Sequence, residues 1–266
     1  MKNITVWVNV YNEEKRIKRF LESFSAFDEI IVSDKSSTDN TVAICQKYGA
    51  KIIVGPYTDA IPVGEGKELL KTARNDWSLA VTASDVIHPD LPKIMIDLIN
   101  NDNFKADVVY VPYIGQVHGI SSVHSVFYSP YRPCLFNRNS VILQDKIHED
   151  FIFNKKKSFY LPKSMKVAIH HLSHQNMDSS FERFQRYSKE EIKKNKSLNH
   201  WLGFIIRAFA TAIKRRSWRL GWDGVAMLLL LILYRIMIFL RAWEKKRGID
   251  VESYYDEFAR KLLENQ

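Results

Sequence analysis

Three short β-branched runs separated by helix-spaced apolar residues open the chain, and that alternation leaves few folds available to it. Residues 4–10, Ile-Thr-Val-Trp-Val-Asn-Val, read as a strand. Ile17, Phe20, Leu21 and Phe24 recur at helical spacing within residues 13–24. A second strand covers 29–33. Ser36, Ser37, Thr38, Asp39 and Asn40 then supply cap chemistry for a helix ending near Lys47, and a third strand covers 51–54. Strand–helix–strand–helix–strand at this spacing implies a parallel sheet with right-handed crossovers. Residues 55–66 hold two Pro and three Gly and read as a loop. Beyond it the pattern predicts a helix over 67–72, a strand over 77–82, a helix over 89–100 and a strand over 108–111. Residues 1–112 are therefore expected to form a doubly wound half-sheet.

From 113 to 162 the periodicity loosens, and aromatic, His, Pro and Arg residues predominate, as in loop-rich substrate-binding regions. A charged helix follows over 177–196. The expected organisation is a doubly wound half over 1–112, a loop-rich half over 113–190 and a helical region over 191–266.

Composition bounds the environment. Of 266 residues 46% are apolar, enough for a sizeable core. Cys45 and Cys134 are the two cysteines, too few for a disulfide framework, so a reducing compartment is expected. The start, Met1-Lys2-Asn3-Ile4, runs straight into a strand and lacks the apolar core of a signal peptide, so the N-terminal part is expected to stay cytoplasmic. The net charge of +9 is concentrated rather than diffuse. No Asp or Glu occurs from Ile192 to Trp222, where Lys193, Lys194, Lys196, Arg207, Lys214, Arg215, Arg216 and Arg219 alternate with Trp201, Phe204, Phe209, Ile213 and Trp218. Basic and large apolar residues at this density suit an anionic membrane surface and argue against a nucleic-acid groove.

Val225–Leu240 is apolar for sixteen residues except for Arg235. A spanning helix needs about 20 apolar residues, and an Arg at mid-bilayer costs roughly 2.5–3.5 kcal/mol or more. Trp218, Trp222, Trp243 and Lys245-Lys246-Arg247 flank the run. A helix lying in the interface, peripheral or monotopic, is the favoured reading; a buried core helix and a true span are the alternatives.

Two motifs carry chemistry. Val10-Tyr11-Asn12-Glu13-Glu14 follows the first strand, and Ser33-Asp34-Lys35-Ser36-Ser37-Thr38-Asp39-Asn40-Thr41 follows the second. Ligands of open parallel sheets bind outside the carboxyl ends of strands. There Tyr11 offers a stacking face, Asn12 can read an edge, and Asp34 can accept hydrogen bonds from a base or ribose. Helix capping accounts equally well for the Asn, Ser and acidic residues.

Together the two motifs resemble the family 2 glycosyltransferases of the GT-A fold, whose members open with strand-Tyr-Asn-Glu-Glu and then strand-Asp-x-x-Ser-x-Asp-x-Thr. Asn75-Asp76-Trp77, Ile147-His148-Glu149-Asp150, Ile169-His170-His171-Leu172, Phe184-Gln185-Arg186-Tyr187-Ser188 and Gly221-Trp222-Asp223-Gly224 extend the likeness to a subgroup typified by lipopolysaccharide-core glucosyltransferases. The resemblance implies a GT-A-type, mostly parallel twisted sheet flanked by helices. It also implies inverting transfer of a sugar from a nucleotide-diphosphate donor to a lipid-linked or cell-surface glycan, at the cytoplasmic face of the plasma membrane in bacterial envelope polysaccharide biosynthesis. Glu149 is the expected base, with Asp150 as alternate. Tyr11, Asn12, Glu13, Asp34, Lys67, Asp85 and Arg132 are the expected donor-binding residues.

One departure stands out. The family holds Mg²⁺ or Mn²⁺ on the donor diphosphate with an Asp-x-Asp at the end of the fourth strand. Here the stretch is Val81-Thr82-Ala83-Ser84-Asp85, with hydroxyls where the carboxylates belong. Either Asp85 ligates the cation, with His171 as a second candidate ligand, or the site is metal-free and Arg132, Arg138, Lys67 or His171 offsets the diphosphate charge. A catalytically degenerate membrane adaptor is the remaining alternative. A nucleotidyltransferase would need a Gly-rich basic loop where Tyr11-Asn12-Glu13-Glu14 stands.

Overall fold

The computed structural model describes residues 1–57, 70–143 and 151–264. They separate into two compact units. One comprises Met1–Val123 and Phe127–Ser179, the other His124–Val126 and Ser180–Gln266.

The first unit is built on a mixed sheet of nine strands among the described residues. In chain order its early elements are β1 (Ile4–Val10), α1 (Glu14–Ser23), β2 (Glu29–Asp34), α2 (Thr41–Lys47), β3 (Lys51–Val54), β4 (Trp77–Thr82), β5 (Asp85–Ile87) and α3 (Leu91–Ile99). Strands β6 (Val108–Val117), β7 (Tyr131–Asn137), β10 (Ser158–Tyr160) and β11 (Ile169–Ser173) complete it, while β8 (Ile142–Leu143) pairs separately with β9 (Phe151–Ile152). The order across the sheet is β3-β2-β1-β4-β7-β6-β11-β5, with β10 beside β6.

The parallel half, β3-β2-β1-β4, follows the sequence pattern closely. Strand β1 is buried nearly throughout, as a central parallel strand must be. Its alternate residues Ile4, Val6, Val8 and Val10 join a core with Ile17, Phe20 and Leu21 of α1 and Leu91, Met95 and Ile99 of α3. Trp7 packs on the other face with Ile31, Ala80, Val108 and Phe136.

The expected loosening after Pro112 is corrected in two places. Strand β6 continues to Val117, and β7 enters the middle of the sheet between β4 and β6, antiparallel to both. Pro133 in β7 lacks the N–H that a central strand normally donates. It pairs with Tyr110 where the register shifts, at the irregularity between Val109 and Tyr110, which is where a sheet interior accommodates proline. The expected helix over 67–72 lies mainly outside the described residues.

The second unit is helical. It takes most of α4 (Met177–Glu191), then α5 (Leu198–Arg215), α6 (Trp222–Arg247) and α7 (Val251–Glu264). Ser197 caps α5 by accepting from the His200 amide at 3.2 Å. Arg216, in the left-handed region at φ 56°, ends it. A short turn over Ser217–Leu220 then reverses the chain, and Gly221 at φ 57° starts α6. The elbow is tight: a Cβ on Gly224 would lie 2.0 Å from the Ser217 carbonyl oxygen. The same turn is tied to His124, whose carbonyl accepts from Ser217 Oγ at 2.7 Å.

The apolar run thus sits within a helix of 26 residues, long and apolar enough to cross a membrane by length and composition, and 28% of its most apolar window is buried within the protein. Arg235 is not left facing outward alone. Its guanidinium donates to the Phe204 carbonyl of α5 at 2.5 Å and lies 4.2 Å from the Phe204 ring centroid.

Candidate active site

The register of the parallel strands brings the two sequence motifs to one rim. Val10 pairs with Asp34 and Asn9 with Thr82, so Tyr11, Asp34 and the Thr82–Asp85 segment leave neighbouring strands at their carboxyl ends. Asn12 takes φ 51°, a left-handed conformation that Asn tolerates. Its side-chain oxygen accepts from the Thr38 amide at 2.8 Å, and its own amide donates to Ser37 Oγ at 2.9 Å. Asn12 therefore ties the β1–α1 loop to the β2–α2 loop. Glu13 and Glu14 are engaged too. Glu13 grips Arg16 in a bidentate pair of 2.6 and 2.7 Å, and Arg16 reaches on to Ser84 Oγ at 3.0 Å. Glu14 accepts from Asn40, and the Glu14 amide donates to Asp39. Burial raises the Asp39 carboxyl, but hydrogen bonds from Thr41 and the Glu14 amide outweigh it and hold the group below its ordinary value.

Two aspartates at the rim differ in what satisfies them. Asp34 is 1% exposed; its Oδ2 accepts from the Ser37 amide at 2.9 Å, while its Oδ1 is buried with no hydrogen-bond partner. Such a group calls for an explanation, because nearly every buried oxygen is paired. Tyr11, half-exposed, sets its ring 4.4 Å from that of Tyr57. Burial, with the Asp34 charge nearby, pushes the Cys45 thiol up to about 11.

Asp85 is 0% exposed and fully used. Its Oδ1 accepts from the Tyr113 hydroxyl at 2.8 Å and bonds His171 Nδ1 at 2.7 Å; its Oδ2 accepts from the Thr82 amide at 2.8 Å. Arg132 extends the chain, donating to the Tyr113 hydroxyl at 3.3 Å with its guanidinium 5.3 Å from that ring centroid. Burial raises the Asp85 carboxyl. The His171 hydrogen bond and charge, then Arg132 and the Thr82 amide, more than reverse this and hold it below the carboxylate range. Burial and the Asp85 charge push the Tyr113 phenol far above its usual value, so it stays a donor. The pairing of His171 with Asp85 across β11 and β5 sets the contact.

This donor set does not fit a divalent cation. A hard metal needs several oxygen ligands with lone pairs to spare. Asp85 is enclosed with both oxygens occupied, and His171 turns its Nδ1 toward that carboxylate. Among the described residues no group of three or more His, Cys, Asp or Glu could hold a metal ion. Asp85 and His171, the two candidate ligands, are hydrogen-bonded to each other.

Arg138 stands apart from this rim. It follows β7 beside the amino end of β4, where it donates to the Leu70 and Ala73 carbonyls and meets Asp76 at 3.4 Å. That is the opposite rim, and its role is to fix the Asn75-Asp76-Trp77 turn. Lys67, Glu149 and Asp150 lie outside the described residues. Two residues of the cluster escaped sequence reasoning. Arg16 carried a signal, an i,i+3 partner for Glu13 on the first helix. Tyr113 carried none, because only strand pairing brings it to Asp85.

A glycosyltransferase is the class of protein that this sheet and rim define. The pattern of the glycosyl transferase family 2 matches residues 5–180, and the chain belongs to that family. Its sheet is of the GT-A type. Among its relatives is a Rickettsia felis protein described as an uncharacterized glycosyltransferase, 26% identical over 84% of this chain and 83% of its own. The poly(ribitol-phosphate) β-N-acetylglucosaminyltransferase TarS of Staphylococcus aureus is 29% identical over 63% of this chain and 31% of its own. The crystal structure of S. aureus TarS superimposes with a TM-score of 0.49 at 21% identity, covering 73% of this chain and 39% of that one. A crystal structure of glucosyl-3-phosphoglycerate synthase from Mycobacterium tuberculosis with Mn²⁺, UDP and product matches 42% of this chain and 44% of that one, at 24% identity and a TM-score of 0.34. As a member of the glycosyl transferase family 2, the chain is a transferase that uses a nucleotide-sugar donor.

Proposed function

We propose that this glycosyltransferase inverts the anomeric carbon as it moves a sugar from a nucleoside-diphosphate donor to a lipid-linked or cell-surface glycan, at the cytoplasmic face of a bacterial plasma membrane. One observation carries the reading of the donor site: the buried, unpartnered Oδ1 of Asp34 at the rim between the β1 and β2 loops. A base N–H or a ribose hydroxyl would satisfy it, and Tyr11 beside it offers the face on which a base stacks. Asn12 and Glu13 shape the loops. Lys67 and Arg132 oppose the diphosphate, and the Asp85–His171–Tyr113 cluster stands just past the carboxyl end of β4, where the family has its metal-binding pair.

In the transfer an acceptor hydroxyl oxygen forms the new bond to the anomeric carbon. The bond from that carbon to the diphosphate oxygen breaks, and its electron pair leaves with the nucleoside diphosphate. Glu149, or Asp150 as alternate, takes the hydroxyl proton. Positive charge on the leaving diphosphate lowers the barrier. If Mg²⁺ or Mn²⁺ takes part, it would supply that charge, and with Asp85 enclosed its protein ligands must come from other residues.

The lipid-linked acceptor is supported by the second unit. Trp218, Trp222, Ile213 and Leu229 are exposed on helices that also carry Lys214, Arg215, Arg216 and Arg219, the composition of a surface lying in the interface. A relative that acts on poly(ribitol-phosphate), a chain polymer, is consistent with a polymeric acceptor.

The test is thermal stabilisation by a panel of nucleotide sugars, with and without Mn²⁺, on the wild type and Asp34→Ala. One stabilising donor, lost in the variant, is expected. Stabilisation that survives in Asp34→Ala would overturn the assigned donor site. Folded protein with no turnover of any donor would favour the adaptor reading. Membrane attachment is tested by deleting residues 201–266; a truncated chain that still sediments with membranes would sink it.

A further inference from the structure

Interfacial docking calls for exposed apolar residues rimmed by basic ones. It does not call for two guanidiniums on one aromatic ring. Arg235, halfway along α6, lies 4.2 Å from the Phe204 ring centroid, and Arg207 of α5 lies 5.3 Å from the same centroid. Among the described residues neither forms an ion pair with a carboxylate. Burial, then the Arg207 charge, act against the charged form of Arg235, and the other charge acting on it is the Tyr234 phenol. One Arg235 nitrogen donates to the Phe204 carbonyl, but its Nε is buried without a partner. Two like charges in contact with one ring, with a donor left unmet, cost free energy unless an anion joins them.

We propose that Arg207 and Arg235, seated on Phe204, form a binding site for the phosphate of a lipid headgroup. Arginine forks match phosphate oxygens in pairs, and Arg207 is exposed to offer one. The surroundings select a lipid over free phosphate. Leu202, Ile206, Phe209 and Ile213 form an exposed stripe at helical spacing along α5 beside Arg207, where an acyl or prenyl chain is at home and a hydrated ion is not. The inference rests on the reading of this unit as membrane-facing, and it adds a specific headgroup contact to what was a general attraction.

The test uses the full chain and vesicles of phosphatidylcholine alone, with phosphatidylglycerol, or with a polyprenyl phosphate. Lys214→Gln removes one exposed charge from the same helix and should weaken binding to phosphatidylglycerol vesicles about fivefold, the effect of one cation near an anionic surface. Arg207→Gln, also exposed and safe for folding, should weaken it by about thirtyfold. Equal losses would overturn the site. Dihexanoyl phosphatidylglycerol below its micellar concentration should bind the wild type one to one and fail to bind Arg207→Gln. Arg235→Lys, which keeps the charge and loses the fork, should behave likewise. Inorganic phosphate binding as tightly as the short lipid would also overturn the proposal. Displacement of the short lipid by polyprenyl phosphate at lower concentration would identify the acceptor carrier as the source, and no preference would identify bulk phospholipid. If the wild type binds no vesicle, the membrane reading fails; the short-lipid titration still decides the site.

Discussion

In the sheet unit Phe20, Phe24 and Phe136 are fully buried, whereas in the helical unit Trp222 is 84%, Ile213 67% and Trp218 63% exposed. Both sets of side chains are equally averse to water. The sheet removes them by packing α1 and α3 against β1, which the chain does for itself. The helices leave them outward, which is the exposure that the proposed membrane contact would cover. The polar residues are reversed in the same way. The sheet unit buries Asp34, Asp85 and Glu29 and leaves the Asp34 Oδ1 without a hydrogen-bond partner, while the helical unit displays its basic residues. One unit hides its large apolar side chains by folding; the other leaves many of them exposed.

The largest effect should separate the two units outright. Glu149→Gln is expected to lower kcat by about 10²–10⁴-fold, the usual worth of a general base, while vesicle binding and melting temperature stay unchanged. Loss of vesicle binding in that variant would mean the units are not separable in function.

Asp85→Asn tests whether the buried network is structural capital of the sheet unit. Removing one partner of a buried charged pair typically costs about 3–5 kcal/mol, so a clear drop in melting temperature is expected at neutral pH. The pH dependence has a definite sign. The folded-state carboxyl of Asp85 lies below its ordinary value, so its contribution is present above the unfolded value, near 3.8. It is lost as pH falls through the lower folded value. Melting curves of wild type and variant should stay a fixed distance apart above about pH 4 and converge below it. A gap that persists undiminished to low pH would show that the carboxylate charge is not its source.

Trp218→Ser with Trp222→Ser sharpens the comparison from the other side. Each large side chain moved from lipid to water is worth about 1.5–3 kcal/mol, so vesicle partitioning should fall at least tenfold per residue without change in melting temperature. A matching loss of thermal stability would make these tryptophans core residues instead. The smallest effect concerns the sealed interior. Cys45 and Cys134 are buried and the Cys45 thiol is pushed up to about 11, so neither should react with a thiol reagent at pH 8 until the protein unfolds.

How much of this was legible depended on sequence distance. Strands β1 to β4 and helices α1 to α3 announced themselves through local periodicity, since each carries its own apolar face. Strand β7 did not, because Arg132 and Pro133 break the pattern and only the bulge beside Tyr110 makes them acceptable. Helix α7 was expected only as part of the helical region over 191–266, without bounds of its own, since it follows Gly248 as a short amphipathic stretch among charges. At the rim, Tyr11 and Asp34 could be picked out because motif and strand end coincide within a few residues. Asp85 and His171 were named together only through the family's metal site, and Tyr113 not at all, because these residues come from β5, β6 and β11 and meet only through long-range pairing. The substitution of Thr82 and Ser84 for carboxylates was visible, yet what fills their place was not.

The notch at Gly224 has a mechanical side. The helix that starts there runs 26 residues, a rod of about 39 Å. Even a methyl group at the notch would press on the Ser217 carbonyl and pry the rod away near its pivot. A shift of about 1 Å acting a few ångströms from the pivot would be multiplied several-fold at the distal tip. The aim of this rod is set by one missing carbon.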